Sequence, residues 1–351
     1  MDLIYRLLKP WLFRLDPESI HDSVVAMARV LDRGPLRDLM TAWNRVSDPV
    51  DLFGVRFPNR VGLAAGFDKN ARFLGAAAAL GFGHLEVGTV TPLPQAGHPR
   101  PRIWRLERHE SLRNRMGFPN DGAAAVAARL RAARPYPLPV GVNVGKGAST
   151  PLDEAAGDYC RALDELQGCG DYFVLNVSSP NTEGLRRLAG AERLRGILEA
   201  VRTRPLLLKL SPDMTREEVS DVASLALELS LDGLIATNTT IRRDPPCDRE
   251  PPEGGLSGRV LTERSREVLG WLRQDTRGQI PLVGVGGVHD EASARALPAD
   301  LVQVYTGFIY GGPGFPRRIA RALKEARDGR SGIVPVGGRS TPGGGVPAQE
   351  R

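Results

Sequence analysis

The sequence has little of what secreted, metal-dependent or membrane-spanning proteins need. Its three cysteines, Cys160, Cys169 and Cys247, form no CxxC pair, so we expect reduced thiols in an intracellular protein. Its five histidines show no HxH or HxxxH spacing, and we predict no metal site. No apolar run approaches the ~20 residues that a bilayer span needs. The N-terminus also lacks the apolar core and cleavage site of a signal peptide, so we expect no targeting peptide.

The chain is weakly basic, and its charged residues are dispersed along the sequence. The chain has 47 basic and 41 acidic residues, a formal net charge of +6, and no basic stripe interleaved with aromatic residues. We therefore expect no nucleic-acid partner. Hydrophobic content is 41% and charged content 25%, as in a globular enzyme with a sizeable core. The 351 residues suit one β/α barrel of roughly 250 residues with an appendage.

Residues 1–33 predict two short helices, an extension ahead of the main domain. The first helix has an apolar face accompanied by basic residues, and Pro10 should kink or split it. The apolar residues are Leu3, Ile4, Leu7, Leu8, Trp11, Leu12 and Leu15, and the basic ones Arg6, Lys9 and Arg14. Such a helix favours the surface of an anionic membrane. The alternative is a helical hairpin packed on the barrel, and both can hold in part. The sequence Asp16-Pro17-Glu18 predicts the start of the second helix.

Residues 34–59 predict a connection that ends in a hairpin, with strands at 50–53 and 55–57 and a turn near Gly54. From 60 to 327, short apolar runs alternate with helical stretches. The runs are 61–65, 85–88, 139–144, 173–177, 206–210, 234–237, 281–285 and 301–305. The helices are 70–80, 121–133, 152–167, 191–202, 215–229, 264–274, 290–297 and 315–327. Eight such units predict a closed (β/α)8 TIM barrel, with a doubly wound open sheet as the alternative. The Gly- and Pro-rich residues 328–351 predict a disordered tail.

Polar or glycine residues follow nearly every predicted strand. In a β/α barrel the C-terminal ends of the strands hold the active site. Turn formation alone would explain one such end, but not eight that include lysines and asparagines next to apolar runs. After strands seven and eight, Gly286-Gly287 and Thr306-Gly307 predict a phosphate-binding edge, which suits FMN or a sugar phosphate.

Lys209 lies in the apolar run Leu206-Leu207-Leu208-Lys209-Leu210. A buried lysine is costly without a negative partner. A flavin that becomes anionic on reduction would be one partner, and a carboxylate inside the barrel is the alternative.

At these strand ends the sequence resembles the dihydroorotate dehydrogenase family. The matching motifs keep the family order across residues 50–325. They are AAGFDK (64–69), GTVTP (88–92), NRMGF (114–118), NVGK (143–146), NVSSPN (176–181), ATNTT (236–240), GGLSG (254–258), VGG (285–287) and VQVYTG (302–307). In this family the base is cysteine in class 1 and serine in the membrane-associated class 2. Ser179 occupies that position here, and the N-terminal helices resemble the quinone-binding extension of class 2.

The resemblance implies a role for each matching residue. The orotate pocket would consist of Lys69, Asn114, Arg115, Met116, Gly117, Phe118, Asn176, Asn181, Asn238 and Thr239. FMN would contact Ala65, Gly66, Phe67, Asp68, Lys69, Thr89, Asn143, Asn176, Lys209, Thr237, Gly258, Gly287, Tyr305 and Thr306. His21, Arg105 and Tyr305 would line a quinone tunnel, and the loop 178–187 would act as a lid.

The implied reaction is oxidation of dihydroorotate to orotate in pyrimidine biosynthesis. Ser179 would remove a proton from C5 while C6 passes a hydride to FMN, which a membrane quinone then reoxidises. The expected location is the cytoplasmic face of the cell membrane, as a peripheral protein. One alternative is a soluble class 1 enzyme with another electron acceptor. Another is a flavin-free phosphosugar isomerase or lyase on the same fold.

Overall fold

A computed structural model describes residues 2–31, 34–179, 191–201, 203–242 and 254–331. Eight parallel strands close into a barrel, which confirms the predicted (β/α)8 architecture. Around the barrel they run β3 (Val61–Leu63), β4 (His84–Val90), β7 (Val140–Val144), β8 (Tyr172–Asn176), β9 (Leu206–Leu210), β10 (Gly233–Ala236), β12 (Leu282–Val285) and β13 (Leu301–Val304). Strand β13 pairs with β3 and closes the ring, so the sheet has no open edge.

Helices cover the outside of the barrel near the predicted positions. They are α4 (Leu74–Ala79), α5 (Ala123–Ala132), α6 (Ala155–Glu165), α7 (Ala191–Ala200), α8 (Arg216–Glu228), α9 (Thr262–Asp275), α10 (Glu291–Arg295) and α12 (Phe315–Ser331). A further short helix, α11 (Thr306–Gly311), was not predicted. Helix α12 continues to Ser331, four residues into the segment predicted as a disordered tail. Residues 332–351 lie outside the described part of the chain.

The extension at residues 1–33 contains the two predicted α-helices, and a third helix follows within the predicted connection 34–59. Helix α1 (Asp2–Leu12) includes Pro10 and is not split by it. Helix α2 (Pro17–Ala28) begins at the predicted signal, where the Asp16 carboxylate accepts a hydrogen bond from the Ser19 backbone N–H at 2.8 Å. Helix α3 (Pro35–Asn44), which packs on α4, was not predicted. The predicted hairpin is confirmed as β1 (Val50–Leu52) and β2 (Val55–Phe57).

Aromatic side chains close the N-terminal end of the barrel. Phe57 of the hairpin is fully buried, and its ring lies 5.3 Å from that of His84 and 6.2 Å from that of Tyr172. A neighbouring glycine leaves room for each of these inward rings. A Cβ on Gly62 would lie 2.0 Å from His84 Nε2, and one on Gly141 would lie 2.3 Å from Tyr172 Cζ. With this end filled, the open end of the barrel is the C-terminal one.

An antiparallel three-stranded sheet, which was not predicted, stands over the C-terminal end. It contains β5 (Ile103–Leu106), β6 (Ser111–Asn114) and β11 (Gly255–Gly258). Strand β6 is central and joins the segment after β4 to the segment after β10. The sheet therefore forms a side wall for whatever binds at the strand ends. Within the described ranges, no helix is both long and apolar enough to cross a membrane.

Candidate active site

A cavity opens at the C-terminal ends of the strands, where the sequence predicted the site. Its wall includes most of the predicted substrate and cofactor residues. They are Ala65, Gly66, Lys69, Thr89, Asn114, Met116, Gly117, Phe118, Asn176, Ser179, Lys209, Thr237, Asn238, Thr239, Gly258, Gly287, Tyr305 and Thr306. The structure thus brings together residues from the ends of every barrel strand except β7, or from the segments that follow them, although they are spread over more than 240 positions of the chain.

Asparagine and threonine side chains form a hydrogen-bonded floor at one side of the cavity. Thr89 Oγ1 donates to Asn143 Oδ1 at 2.6 Å and accepts from Asn176 Nδ2 at 3.0 Å. Asn238 Nδ2 donates to Asn176 Oδ1 at 3.2 Å and to Ser178 Oγ at 3.0 Å. Because each amide fixes the orientation of the next, the floor presents donors and acceptors in set directions.

Lys209 is buried below the floor and paired with Glu86, so the carboxylate alternative raised by its sequence is confirmed. Lys209 Nζ lies 3.0 Å from Glu86 Oε1, and Glu86 is fully buried. Asn143 donates to the same carboxylate at 2.7 Å and Gln303 donates to its other oxygen at 2.7 Å. Three donors therefore compensate the buried charge. Lys209 also lines the cavity, so the ion pair does not remove it from the site.

Lys69 is the second lysine of the cavity, and its charge is less compensated than that of Lys209. It forms no hydrogen bond or ion pair with any residue that the structure describes. Burial lowers its pKa to about 8, partly offset by the carboxylates of Glu18, Asp22 and Asp68. A buried lysine of this kind favours binding of an anion, because the negative charge of the anion raises the pKa of the lysine and stabilises its ammonium form.

Ser179 is buried at the cavity wall, immediately after β8. Its neighbour Ser178 donates to Asn176 Oδ1 at 3.2 Å and accepts from Asn238, which ties the segment after β8 to the amide floor. The predicted position of the base therefore lies beside the predicted substrate amides. Asn181 and most of the predicted lid 178–187 lie outside the described residues.

The far edge of the cavity is rich in glycine. Gly258, Gly286, Gly287 and Gly307 line it together with Thr306. Gly287 has a positive φ of 78°, and a Cβ there would lie 2.2 Å from Thr262 Cα, so only glycine fits without rearrangement. Thr306 Oγ1 lies 2.9 Å from Ser257 Oγ. Backbone N–H groups and hydroxyl groups, both present at this edge, are groups that bind phosphate oxygens.

Four of the predicted substrate and cofactor residues that the structure describes do not line the cavity. Phe67 packs its ring 5.8 Å from that of Tyr305, behind the wall. The Asp68 carboxylate accepts backbone N–H groups of Asn70, Arg72 and Phe73 and so shapes the loop after β3. Asn143 acts through Thr89, Asn176 and Glu86, as described above. Arg115 is exposed. For Phe67, Asp68 and Asn143, the observed contacts indicate support of the site rather than contact with a ligand.

The predicted quinone residues lie between the extension and the barrel. His21 Nε2 is 2.7 Å from the Phe67 carbonyl, with its ring 5.0 Å from the Phe67 ring. Burial and the nearby Lys69 lower the pKa of His21. Arg105 donates to the carbonyls of Phe13 at 3.0 Å and Leu15 at 2.7 Å. Neither side chain lines the main cavity, whereas Tyr305 does.

The sequence reasoning missed Glu86, Gln303 and the cavity residues of the side sheet, Ile103, Leu112 and Ser257. Glu86 could have been found, because a carboxylate inside the apolar run 85–88 is as unusual as Lys209 is in its own. No sequence signal separates Ile103 or Leu112 from other apolar residues.

A barrel whose C-terminal end combines buried lysines with amide side chains and a glycine edge is typical of an enzyme that binds polar, anionic ligands. The family model for dihydroorotate dehydrogenase matches residues 49–326. A Thermus thermophilus protein called dihydroorotate dehydrogenase (quinone) is 49% identical, covering 89% of this chain and 94% of its own. One from Acidithiobacillus ferrooxidans is 46% identical, covering 91% and 94%.

A solved structure agrees with these sequence matches. The crystal structure of an Eimeria tenella DHODH in complex with ferulenol superposes with a TM-score of 0.80 at 34% identity, covering 94% of this chain and 96% of that one. The chain belongs to the dihydroorotate dehydrogenase family, which confirms the resemblance.

Proposed function

We propose that this protein oxidises dihydroorotate to orotate on a bound FMN and passes the electrons to a membrane quinone. The observation that carries the proposal is Ser179 at the cavity wall, next to the amide floor and across the same cavity as Lys69. The names of the relatives with 42–49% identity favour quinone over the soluble acceptors of the class 1 alternative. The product belongs to pyrimidine biosynthesis.

The residues present fit FMN. The glycine edge and Thr306 would hold its phosphate, and Ala65, Gly66, Thr89 and Thr237, which line the same cavity, would contact its flat ring. Lys209 would lie beside that ring with its charge already balanced by Glu86. FMN, when bound, supplies a hydride acceptor that can later deliver its electrons to quinone.

Dihydroorotate would bind between Lys69 and the amides. The Lys69 ammonium would pair with the carboxylate, while Asn114, Asn176 and Asn238 would hold the ring carbonyls and N–H groups. Burial of the site excludes water and strengthens these hydrogen bonds. Ser179 would then take the proton from C5 as C6 loses a hydride, leaving the C5–C6 double bond of orotate.

A test of this function uses Ser179→Ala. General bases typically contribute ~10²–10⁴-fold, so flavin bleaching after anaerobic mixing with dihydroorotate should slow by at least about a hundredfold, with orotate binding retained. Ser179→Cys should keep part of the rate with an altered pH profile. Near-normal bleaching in Ser179→Ala would show that another group is the base. A colourless purified protein would instead favour the phosphosugar isomerase or lyase alternative.

The location that supports this reaction is the cytoplasmic face of the cell membrane, with the protein attached peripherally. Its support is the exposed apolar side of α1, where Leu3, Leu7 and Trp11 are 71%, 68% and 65% exposed. Such a surface would bring the space between extension and barrel to a lipid-dissolved quinone. His21, Arg105 and Tyr305 would lie along the path of the quinone toward the cavity.

A further inference from the structure

A buried carboxylate lies inside the barrel, beneath the active-site cavity. Glu86 follows His84 by two residues on β4, so its side chain also points into the barrel, on the cavity side of the aromatic rings that close the N-terminal end. Glu86 is fully buried and does not line the cavity, whereas Lys209 does. A ligand in the cavity could therefore touch Lys209 without touching Glu86.

Three donors from three other strands fix this carboxylate in position. Lys209 Nζ on β9 lies 3.0 Å from Oε1, and Asn143 on β7 donates to the same oxygen at 2.7 Å. Gln303 on β13 donates to Oε2 at 2.7 Å. Asn143 in turn accepts a hydrogen bond from Thr89 of the amide floor at 2.6 Å. The carboxylate is therefore held at a set position relative to both Lys209 and the floor.

Stability alone does not explain an ion pair at this depth. Removing two charges from water is costly, and replacing a buried ion pair by apolar side chains of similar volume is often neutral or stabilising. The pair lies, however, where it can act on a ligand, because Lys209 reaches the cavity wall. Its position indicates an electrostatic role in the site.

The two charges would act on a bound flavin in opposite senses. Hydride transfer adds one negative charge to the flavin, which the Lys209 ammonium stabilises and the Glu86 carboxylate destabilises. Both effects are stronger in the barrel interior than in water, because the effective dielectric constant is lower there. Since Glu86 Oε1 lies 3.0 Å from Lys209 Nζ, the carboxylate offsets much of the ammonium charge at the flavin.

We propose that Glu86 sets the reduction potential of the bound flavin by offsetting the charge of Lys209. Glu86 is a positioning residue rather than a catalytic one, because it acts through Lys209 and Asn143. With its carboxylate in place, the reduced flavin is stabilised less and gives up its electrons more readily to the acceptor. The inference rests on the proposed function and deepens it, by assigning control of electron transfer to a residue outside the cavity wall.

The experiment compares two substitutions at Glu86 that separate charge from shape. Glu86→Gln keeps the size of the side chain and removes its charge, while Glu86→Asp keeps the charge on a shorter side chain. The bound flavin is reduced slowly beside a reference dye, and the ratio of reduced to oxidised flavin is read at one dye potential. Because a charge change a few ångströms away typically shifts an equilibrium by about tenfold or more, Glu86→Gln should raise the ratio by that factor. Glu86→Asp, which keeps the charge, should change it by less than about threefold.

Two further variants serve as controls. Glu217→Gln removes the same charge from an exposed position in the first turn of α8 and should leave the ratio unchanged. The double variant Lys209→Met/Glu86→Gln removes both buried charges and decides the question if Glu86→Gln alone does not fold. Because the two charges that offset each other are lost together, its ratio should stay within about threefold of that of the unaltered protein.

Three results would overturn the proposal. One is an unchanged ratio in Glu86→Gln. Another is an equal shift in Glu86→Gln and Glu86→Asp, because the length of the side chain would then matter rather than its charge. The third is a fall of about tenfold in the double variant, which would mean that Lys209 acts on the flavin without an offset.

Bleaching of the unaltered protein by dihydroorotate separates this inference from the proposed function. A protein that holds no flavin, or whose flavin does not bleach, would overturn both. Normal bleaching together with an unchanged ratio in Glu86→Gln would remove the role of Glu86 and leave the dehydrogenase function standing.

Discussion

At the scale of residues, the two lysines of the cavity differ in how their charges are compensated. Lys209 has a carboxylate partner, and Lys69 forms no ion pair within the described ranges. The sequence identified Lys209 because a lysine inside an apolar strand is rare. It could not identify Glu86 as the partner, since the two residues are 123 positions apart and meet only through the barrel register.

The charge state of Lys69 should control orotate binding. Its pKa of about 8 means that the free site is largely charged below this pH and neutral above it. Above pH 8 an orotate anion binds only with uptake of a proton, so its dissociation constant should rise up to about tenfold per pH unit. Titration of the oxidised flavin absorbance with orotate between pH 7 and 10 measures this. Lys69→Arg, which keeps its charge throughout, should flatten the dependence, and an unchanged slope in that variant would exclude Lys69 as the titrating group.

The Lys209–Glu86 pair should behave as one unit. Glu86→Gln leaves a buried ammonium without its counter-charge, a change that typically costs about 3–5 kcal/mol. Lys209→Met should cost a similar amount by stranding the carboxylate. The double variant should be more stable than the sum of the two losses predicts, by about 2 kcal/mol or more, in urea unfolding. Additive losses would mean that the two charges do not stabilise each other. FMN content of the same variants tests the role of Lys209 at the flavin independently.

At the scale of elements, the barrel strands and helices were predictable because each is a sustained apolar run or a helical repeat. The side sheet was not, because β6 pairs with a strand about 140 positions away and both strands are only four residues long. Helix α3 was missed for a different reason. It begins after Gly34, which has a φ of 106° and makes no side-chain cap, so the signal that marked α2 at Asp16 is absent.

Glycine in the strands is a packing requirement at the closed end of the barrel. Gly62→Ala would place a Cβ 2.0 Å from His84 Nε2, and the His84 ring is itself enclosed by Phe57. Overpacking of this kind typically costs about 1–3 kcal/mol, so thermal or urea unfolding should show a loss of at least that size. Gly270→Ala is the matched control, since nothing lies within 4 Å of its Cβ position in α9. It should be neutral or stabilising by up to ~1 kcal/mol. Equal effects of the two substitutions would mean that His84 can move aside.

At the scale of the whole molecule, polar contacts fix the extension to the barrel and leave its apolar side outward. Glu18 is buried, and both of its carboxylate oxygens contact the guanidinium group of Arg102, with a shortest N–O distance of 2.7 Å. Glu18 also pairs with Arg100. On α1, Lys9 Nζ donates to the Tyr310 carbonyl at 3.1 Å, and Tyr5 donates to the Ile309 carbonyl. The extension therefore packs on the barrel, as one of the two sequence interpretations held, without covering its apolar residues.

The exposed side of α1 leads to a prediction in which membrane attachment changes while the stability of the fold does not. Leu7 is 68% exposed, so Leu7→Ser should change the free energy of unfolding by no more than about 0.5 kcal/mol. If Leu7 inserts into lipid, the same change removes roughly 1.5–3 kcal/mol of apolar burial, and vesicle affinity should fall about tenfold or more. Turnover with a long-chain quinone in vesicles should fall with it, while a soluble short-chain quinone should be reduced at the normal rate. The control is Leu93→Ser, at a leucine 76% exposed on the loop after β4. Because both substitutions remove the same exposed side chain, equal vesicle binding by the two variants would place the membrane contact somewhere other than α1.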